Sequence, residues 1–191
     1  MTSDECREEI TSVTRHPSPV TLPSADAIII VDDDVTTDTV WTANNAYLLA
    51  KGGADFPVYV GSLDGDGPSA TLTIEPGTVV FGDKQELGTL SVQRGSKLIA
   101  SGTPLMPIVM TSAFKVGDRV SGDWGGLVLN GYAPVGSETG EREGEGETGL
   151  FGGDDPNDSS GVLSYLRVEF AGVRFTEEDE LNGIALQGVG A

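Results

Sequence analysis

Short apolar runs separated by turn-forming residues fill the sequence from Val40 to its end. Within each run the apolar positions alternate or are continuous over four or five residues, and Gly, Pro, Asn or Asp stands between the runs. Such a pattern is typical of β-strands joined by tight turns, whereas an amphipathic helix spaces its apolar positions three and four residues apart. The sequence therefore predicts an all-β domain without helices.

One segment of this pattern occurs twice. The segment TLTIEPGTVV begins at Thr71, and the similar segment TLSVQRGSKL begins at Thr89. Apolar positions and glycines of the first segment recur in the second at the same spacing that separates Thr71 from Thr89. Apolar positions recur at this spacing after the second segment too, and again near the end of the sequence. The matched positions are Leu72 with Leu90 and Ile108, Ile74 with Val92 and Met110, Gly77 with Gly95, and Leu166 with Ile184.

A repeat this short, made of strands and turns, predicts one coil of a parallel β-solenoid. Successive coils lie about 4.8 Å apart, so we expect Leu72, Leu90 and Ile108 to form one inward-facing ladder. The predicted fold is a right-handed single-stranded parallel β-helix with coils of about 18 residues, in which Asn182–Val189 stacks on Leu166–Val173. A two-sheet sandwich is the alternative, but it does not explain why similar residues recur at a fixed spacing.

The chain divides into an N-terminal capping segment, residues 1–39, and a β-helix domain, residues 40–191. We expect the apolar run Ile28–Val31 to lie over the first coil. A long interruption, residues 130–161, carries eight acidic residues and one basic residue, Arg142. Long insertions leave a solenoid at a turn and often form its binding face.

The charge balance excludes several classes of partner. The chain of 191 residues carries 30 acidic and 11 basic residues, a formal net charge of -19. Nucleic acids and anionic membrane surfaces both demand Lys and Arg, so neither is expected to bind. The charge favours cations, basic partners or a salty medium. No apolar run approaches the length of a membrane span, and the polar, acidic N-terminus lacks the features of a signal peptide.

The chain has one cysteine, Cys6, and one histidine, His16. An internal disulfide is therefore impossible, and metal sites built on cysteine and histidine are excluded. Ser-His-Asp or Cys-His catalysis would require His16, which directly precedes Pro17 in the N-terminal segment. We interpret Cys6 as a thiol without a specific role.

The motifs of the chain resemble those of bacterial secreted or surface-attached right-handed β-helix proteins of the pectin-lyase-like type, most of them of unknown function. The resemblance covers residues 40–191 through seven motifs in the expected order. They are WTANNAYLL, ATLTIEPGTVVFGDK, GTLSVQRGSKLIASGT, PIVMTSA, GDWGGLVLNGYAPV, GGDDPNDSSGVLSYLRVEFAG and ELNGIALQGVG. The resemblance implies the β-helix fold and an extracellular or cell-surface location, but it supplies no established catalytic residues.

Two departures from the family pattern concern the ends of the chain. Family members usually carry an export signal, which this sequence lacks, and they normally continue with further coils after the motif LQGVG. We therefore expect an N-terminal fragment that ends in mid-solenoid. Because an uncovered β-edge is a template for pairing, the C-terminal coil is expected to mediate self-association.

The segment GGDDPNDSSG carries four oxygen-bearing side chains close together, Asp154, Asp155, Asn157 and Asp158. Hard oxygen ligands on a bent backbone suit Ca²⁺, which takes about six to eight of them, so these residues form a candidate calcium site. The alternative is a turn in which Asp and Asn side chains bond to their own backbone.

Four further residues form a candidate ligand face, Trp124, Arg167, Glu169 and Gln187. Trp124 is either a sugar platform or a core residue. Arg167 and Glu169 project to the same side of their strand, and Gln187 is expected beside Glu169 one coil further on. An Arg–Glu pair is also the ordinary state of a solvated solenoid face.

The sequence as a whole favours an exported β-helix protein with a structural, adhesive or ligand-binding role. Ca²⁺ is its candidate stabilising ion, and polysaccharide or cell-surface components are its candidate partners. The alternative is a carbohydrate-active enzyme, a polysaccharide lyase or glycoside hydrolase, on the same fold. The chain has only six Phe, four Tyr and two Trp, several of them in apolar runs, which favours the role without catalysis.

Overall fold

The computed structural model describes residues 26–53, 56–176 and 179–190, whose regular elements include β-strands and the 3-10 turns Leu63–Gly65 and Glu145–Glu147. Within these ranges no residue is α-helical, in agreement with the sequence pattern. Cys6 and His16 lie outside the described residues. The strands are β1 (Ala27–Val31), β2 (Thr39–Trp41), β3 (Asn45–Leu49), β4 (Val58–Val60), β5 (Thr71–Ile74), β6 (Val79–Gly82), β7 (Thr89–Val92), β8 (Lys97–Ser101), β9 (Ile108–Ser112), β10 (Gly126–Asn130), β11 (Glu141–Glu143), β12 (Leu150–Gly152), β13 (Gly161–Ser164), β14 (Leu166–Val168) and β15 (Ile184–Gln187).

All of these strands except β11 and β12 belong to three parallel sheets. Sheet A has the order β1-β3-β6-β9-β14, sheet B the order β4-β7-β10-β15, and sheet C the order β2-β5-β8-β13. From β2 onward the chain visits sheets C, A and B in turn, and each round adds one strand to every sheet. The fold is a three-sided parallel β-helix, which confirms the predicted fold class.

The predicted coil length is wrong for the body of the helix, where one coil is longer than the repeat. Leu72 belongs to sheet C, Leu90 to sheet B and Ile108 to sheet A, so these residues do not form one ladder. Leu72 instead pairs with Leu98. The matched positions Ile74, Val92 and Met110 likewise lie in three different sheets. Among the described strand pairs, only β1 with β3 advances by the offset of the repeat, from Ala27 to Asn45.

The repeated segment marks corners of the coil. Its two copies form β5-turn-β6 and β7-turn-β8, which begin two sides of the coil apart. Gly77 and Gly95 occupy the equivalent turns with φ of +88° and +76°, in the left-handed region that favours glycine. The recurrence of these glycines therefore marks equivalent bends of the chain, and the offset of the repeat corresponds to an advance of two sides and not to a full turn.

Inward-facing side chains of the three sheets fill one apolar core. Leu72 and Leu98 of sheet C are fully buried, and in sheet B Leu90 lies between Val58 and Leu127. Replacing one such leucine by alanine in a packed core costs about 2–5 kcal/mol. These aliphatic ladders hold the coils in register.

Trp124 closes one corner of this core. Its side chain is 0% exposed, and the indole N–H donates to the carbonyl oxygen of Glu169 at 2.8 Å. A Cβ at Gly82 would come within 2.4 Å of the Trp124 side chain. Gly82 in β6 therefore makes room for the buried indole.

At the N-terminal end the sheets begin before the predicted boundary at residue 40. The run Ile28–Val31 lies over the first coil, as expected, but it does so as a hydrogen-bonded strand of sheet A paired with β3. Ile28 and Ile30 face outward and are 64% and 61% exposed.

The last strand, β15, belongs to sheet B. Its Ile184 pairs with Leu127 of β10, so the prediction that Asn182–Val189 stacks on Leu166–Val173 is wrong. Ile184 and Leu186 continue the inward-facing rows of sheet B and are 44% and 61% exposed. Self-association through this end stays a prediction.

Candidate functional site

The outer face of sheet B is polar but buried. Thr89 and Ser91 on the outer side of β7 and Gln93 directly after it are each 0% exposed, and so is Asn130 of β10. Outward-facing side chains of a solenoid ordinarily contact water. This face is covered instead by the acidic insertion between β10 and β13, the interruption predicted at residues 130–161.

The insertion is anchored on sheet B through one backbone carbonyl. The carbonyl oxygen of Thr148 accepts hydrogen bonds from Ser91 Oγ at 2.8 Å, Gln93 Nε2 at 2.9 Å and Asn130 Nδ2 at 2.7 Å. The Tyr59 hydroxyl donates to the carbonyl oxygen of Glu147 at 2.8 Å. Because buried polar groups need partners, these bonds fix the position of the insertion on the sheet.

Arg94 fastens the insertion to the turn that follows β4. Its guanidinium donates to the carbonyl oxygen of Asp64 from Nη2 at 2.7 Å and to that of Gly152 from Nη1 at 3.0 Å. It also pairs with Glu141 and lies 5.0 Å from the ring centroid of Tyr132. Arg94 is 6% exposed, so these charge-assisted bonds form largely out of water, where they are strong.

A cleft of about 600 Å³ opens between the anchored insertion and the first coils. One wall comes from the segments around β1, β3 and β4, and the other comes from β11 and the 3-10 turn of the insertion. Asp64 Oδ1 accepts the backbone N–H of Leu150 at 2.7 Å, which ties the two walls together. The lining residues are Asp34, Thr36, Lys51, Tyr59, Gly61, Ser62, Leu63, Asp64, Glu143, Glu147 and Gly149.

The cleft carries four carboxylates and one ammonium group. Lys51 Nζ lies 2.7 Å from Asp34 Oδ1, and the same oxygen accepts the backbone N–H of Tyr59 at 2.8 Å. The carboxylates of Glu143 and Glu147 are exposed and form no hydrogen bond or ion pair with the described part of the chain. Such acceptors can bind the hydroxyl or amino groups of a ligand.

The predicted calcium ligands lie on a turn of the insertion. Asp155 Oδ1 accepts the backbone N–H of Asn157 at 2.9 Å, and Asp158 Oδ2 accepts the hydroxyl of Ser160 at 3.4 Å, while Asp154 is exposed. Within the described residues, no three Asp, Glu, His or Cys side chains come together as a group that could hold a metal ion. The geometry fits the alternative of a turn held by its own side chains, and calcium binding stays a prediction.

The structure does not bring the four residues of the candidate ligand face together. Trp124 is a buried core residue and does not offer a sugar platform. Arg167 and Glu169 form an ion pair at sheet A, whereas Gln187 lies in sheet B beside Asn130. Gln187 is therefore not the neighbour of Glu169, because the coil has three sides.

A second polar cluster lies outside the cleft. Asp123 Oδ2 accepts the Ser112 hydroxyl at 2.7 Å and the Val120 N–H at 2.9 Å, and Oδ1 lies 3.2 Å from Lys84 Nζ. Burial raises the pKa of Asp123, but these three donors outweigh burial, and the pKa lies below its ordinary value. A carboxylate with a lowered pKa is a poor general base at neutral pH, so the cluster does not activate Ser112 as a nucleophile.

The sequence indicated the insertion as the binding face but did not indicate the opposite wall of the cleft. Asp34, Lys51 and Tyr59 come from three separate segments of the first coils. Only the three-sided register brings them together. The acidic run Asp32-Asp33-Asp34 was a visible signal, yet nothing in it distinguishes the residue that pairs with Lys51.

The fold and the cleft define a class of protein: a three-sided parallel β-helix with one outer face covered by an acidic insertion. Residues 30–191 match the family model described as pectate-lyase like beta helix domain, and the chain belongs to this family. The predicted resemblance is thereby confirmed at the level of the pectin-lyase-like fold. A search of the curated proteins and a search of the solved structures each returned no match. Among the described residues, no helix is long and apolar enough to cross a membrane.

Proposed function

We propose that this chain is an extracellular or cell-surface β-helix protein with a structural or adhesive role, and that it binds a glycan in the cleft beside the insertion. The observation that carries this proposal is the cleft itself, about 600 Å³ and lined by side chains that accept and donate hydrogen bonds. Its volume lies in the range of small-ligand sites, about 300–1,000 Å³. The location is supported by the family, since pectate-lyase-like β-helix domains are commonly extracellular.

The charge of the cleft selects among glycans. Four carboxylates face one lysine, Lys51, and Lys51 is already paired with Asp34. A polyuronate such as pectate brings one carboxylate per sugar and is repelled by the excess of carboxylates in the cleft. Neutral and amino sugars offer hydroxyl and ammonium donors that Glu143 and Glu147 can accept. The proposed ligand is therefore a neutral or amino glycan.

The test compares three oligosaccharide probes by isothermal titration calorimetry: a neutral β-linked glucan, a chitosan oligomer and a polygalacturonate oligomer. The informative variants are Glu143→Gln and Glu147→Gln, since both residues are exposed cleft residues and are not needed for anchoring through their side chains. Glu138→Gln is the matched control, because Glu138 is exposed on the same insertion but does not line the cleft.

We expect saturable binding of the neutral or the amino probe, at least tenfold weaker in the two cleft variants and unchanged in Glu138→Gln. Preferential binding of polygalacturonate, or loss of binding in Glu138→Gln to the same degree, would contradict the proposal. Absence of binding to all three probes would also contradict it.

A carbohydrate-active enzyme on the same fold is the second candidate. The observation that favours it is the presence of carboxylates on both walls, Asp64 on one and Glu143 and Glu147 on the other, because glycoside hydrolysis places two carboxyl groups on either side of the scissile bond. Incubation of the same probes with the protein distinguishes the two roles. Release of shortened oligosaccharides that disappears in Glu143→Gln or Glu147→Gln indicates an enzyme, and intact probes indicate binding alone.

A further inference from the structure

The outer face of sheet A is apolar over its first three strands. The outward-facing positions form two rows across β1, β3 and β6, because neighbouring strands pair in register. One row contains Ile28, Ala46 and Val79, and the other contains Ile30, Leu48 and Phe81. Ala46, Val79, Phe81 and Leu48 pack together as a cluster separate from the core inside the coil. An exposed apolar face of this extent on a solvated solenoid indicates a binding surface.

The segment that follows β9 turns this face into a groove. Residues 113–119 lie beside Leu48 and Phe81. The groove between this segment and the sheet has a volume of about 400 Å³. Arg119 holds the segment in place, since its Nε donates to the carbonyl oxygen of Phe114 at 2.8 Å and its Nη1 to Thr111 Oγ1 at 3.3 Å. Phe114 and Val116 nevertheless remain 43% and 77% exposed.

Two cations line the otherwise apolar groove, Lys115 and Arg119. Neither forms an ion pair within the described part of the chain, whereas Lys51, Lys84 and Arg167 all do. Among the described residues Lys97, Arg142 and Arg174 also lack an ion pair, but they do not line this groove, and the groove's lining contains no acidic side chain. Asp118 belongs to the same turn but does not line the groove.

From this combination we propose that the groove binds a small amphiphile, an aliphatic chain that ends in a carboxylate. The aliphatic chain lies along Ile28, Leu48 and Phe81 and removes their apolar surface from water. The carboxylate pairs with Lys115 and Arg119, whose remaining donors complement an anion. The volume of the groove suits a ligand of this size. The site lies on sheet A, is separate from the cleft on sheet B, and does not rest on the proposed glycan ligand.

Charge complementarity favours this ligand over a second copy of the chain. A symmetric pairing through this face would present the groove with its own lining, which holds Lys115 and Arg119 but no acidic side chain to pair with them. A carboxylate ligand instead supplies the charge that this groove lacks. A neutral apolar ligand would leave the two cations without a partner.

The test titrates the 191-residue chain with dodecanoate below its micelle concentration, and with dodecanol as the neutral probe of equal chain length. Methyl NMR of the isoleucine, leucine and valine side chains reports where each probe binds. Two variants alter exposed groove positions and should not disturb folding, Lys115→Glu and Val116→Asp. Lys97→Glu is the matched control, because Lys97 is an exposed lysine on sheet C.

We expect dodecanoate to bind saturably and to shift the methyl signals of Ile28, Leu48 and Val116. Its dissociation constant should rise at least fivefold in Lys115→Glu and in Val116→Asp and stay unchanged in Lys97→Glu. Dodecanol that binds as tightly as dodecanoate would overturn the role of the cations. Absence of saturable binding, or a dimer in sedimentation whose interface covers these methyl groups, would overturn the proposed ligand.

Discussion

Asp123 joins three segments of the chain through one buried carboxylate. It receives hydrogen bonds from Ser112 at the end of β9 and from the backbone of Val120, and it pairs with Lys84 after β6. Burial raises the pKa of Asp123, but the three donors together have the larger effect. The pKa in the folded state therefore lies below the ordinary value. Since the folded state binds the proton less tightly than the unfolded chain does, Asp123 stabilises the fold above the unfolded pKa. That contribution is lost as the pH falls through the folded pKa.

Replacing Asp123 by asparagine should lower the free energy of unfolding by about 1–3 kcal/mol at pH 7, because its donors lose a charged acceptor inside the protein. The difference from wild type should shrink as the pH falls below about 4, the unfolded pKa of aspartate. Urea unfolding of both proteins between pH 3 and 7 measures this. The control is Asp118→Asn, an exposed change of the same charge. A difference that does not depend on pH would contradict the electrostatic role of Asp123.

The insertion and sheet B form one structural unit. The hairpin of β11 and β12 reaches the sheet through the Thr148 carbonyl and through Arg94. Gly149 permits this close approach, since its φ is +97° and a Cβ would lie 2.2 Å from Gln93 Oε1. The cleft exists only while the insertion lies on the sheet. The anchoring contacts are therefore as important for ligand binding as the lining side chains.

Gly149→Ala should loosen the insertion, because the new methyl group is strained at this φ and collides with Gln93. We expect a loss of about 1–3 kcal/mol of unfolding free energy and faster cleavage within the insertion by a protease added at low concentration. Gly136→Ala is the control, because nothing lies within 4 Å of its added Cβ. Equal protease sensitivity of the two variants would show that Gly149 does not hold the insertion in place.

The turns of the coil could be predicted from the sequence, but the coil length could not. The bends at Gly77 and Gly95 are visible in the sequence, because a backbone with positive φ favours glycine. The coil length could not be predicted from the sequence. Leu72, Leu90 and Ile108 face the core from three different sides, and their similar aliphatic side chains do not reveal which side each one occupies. The pairing of Lys51 with Asp34 depends on that coil length, so the second wall of the cleft could not be predicted.

The net charge of -19 affects the stability of the fold. Like charges on a compact chain repel, and salt screens them over a Debye length of about 8 Å at physiological ionic strength. The insertion concentrates this charge, with eight acidic residues in residues 130–161. Cations should therefore stabilise the fold, whether they bind at a site or only screen.

The melting temperature should rise with NaCl, and the proposed calcium site predicts a further rise with millimolar CaCl₂ at matched ionic strength. That extra rise should disappear in the double variant Asp154→Asn/Asp155→Asn, which removes two of the predicted ligands. The control Asp32→Asn/Asp33→Asn makes the same change of charge at exposed positions outside the insertion. Differential scanning calorimetry measures all of these conditions, and an equal response to the two salts would remove the calcium site.

Three sides make one coil of this fold, and this register places the insertion opposite the first coils and creates the cleft. Thr73 and Ile99 are adjacent partners on the outer side of sheet C, about 4.8 Å apart as neighbouring strands are, which lies within the span of a disulfide. In a Cys6→Ser background, Thr73→Cys/Ile99→Cys should form a disulfide on mild oxidation. Thr73→Cys/Ser91→Cys should not, because position 91 lies in sheet B. Mass spectrometry under non-reducing conditions decides the matter, and cross-linking of the second pair but not the first would contradict the three-sided coil.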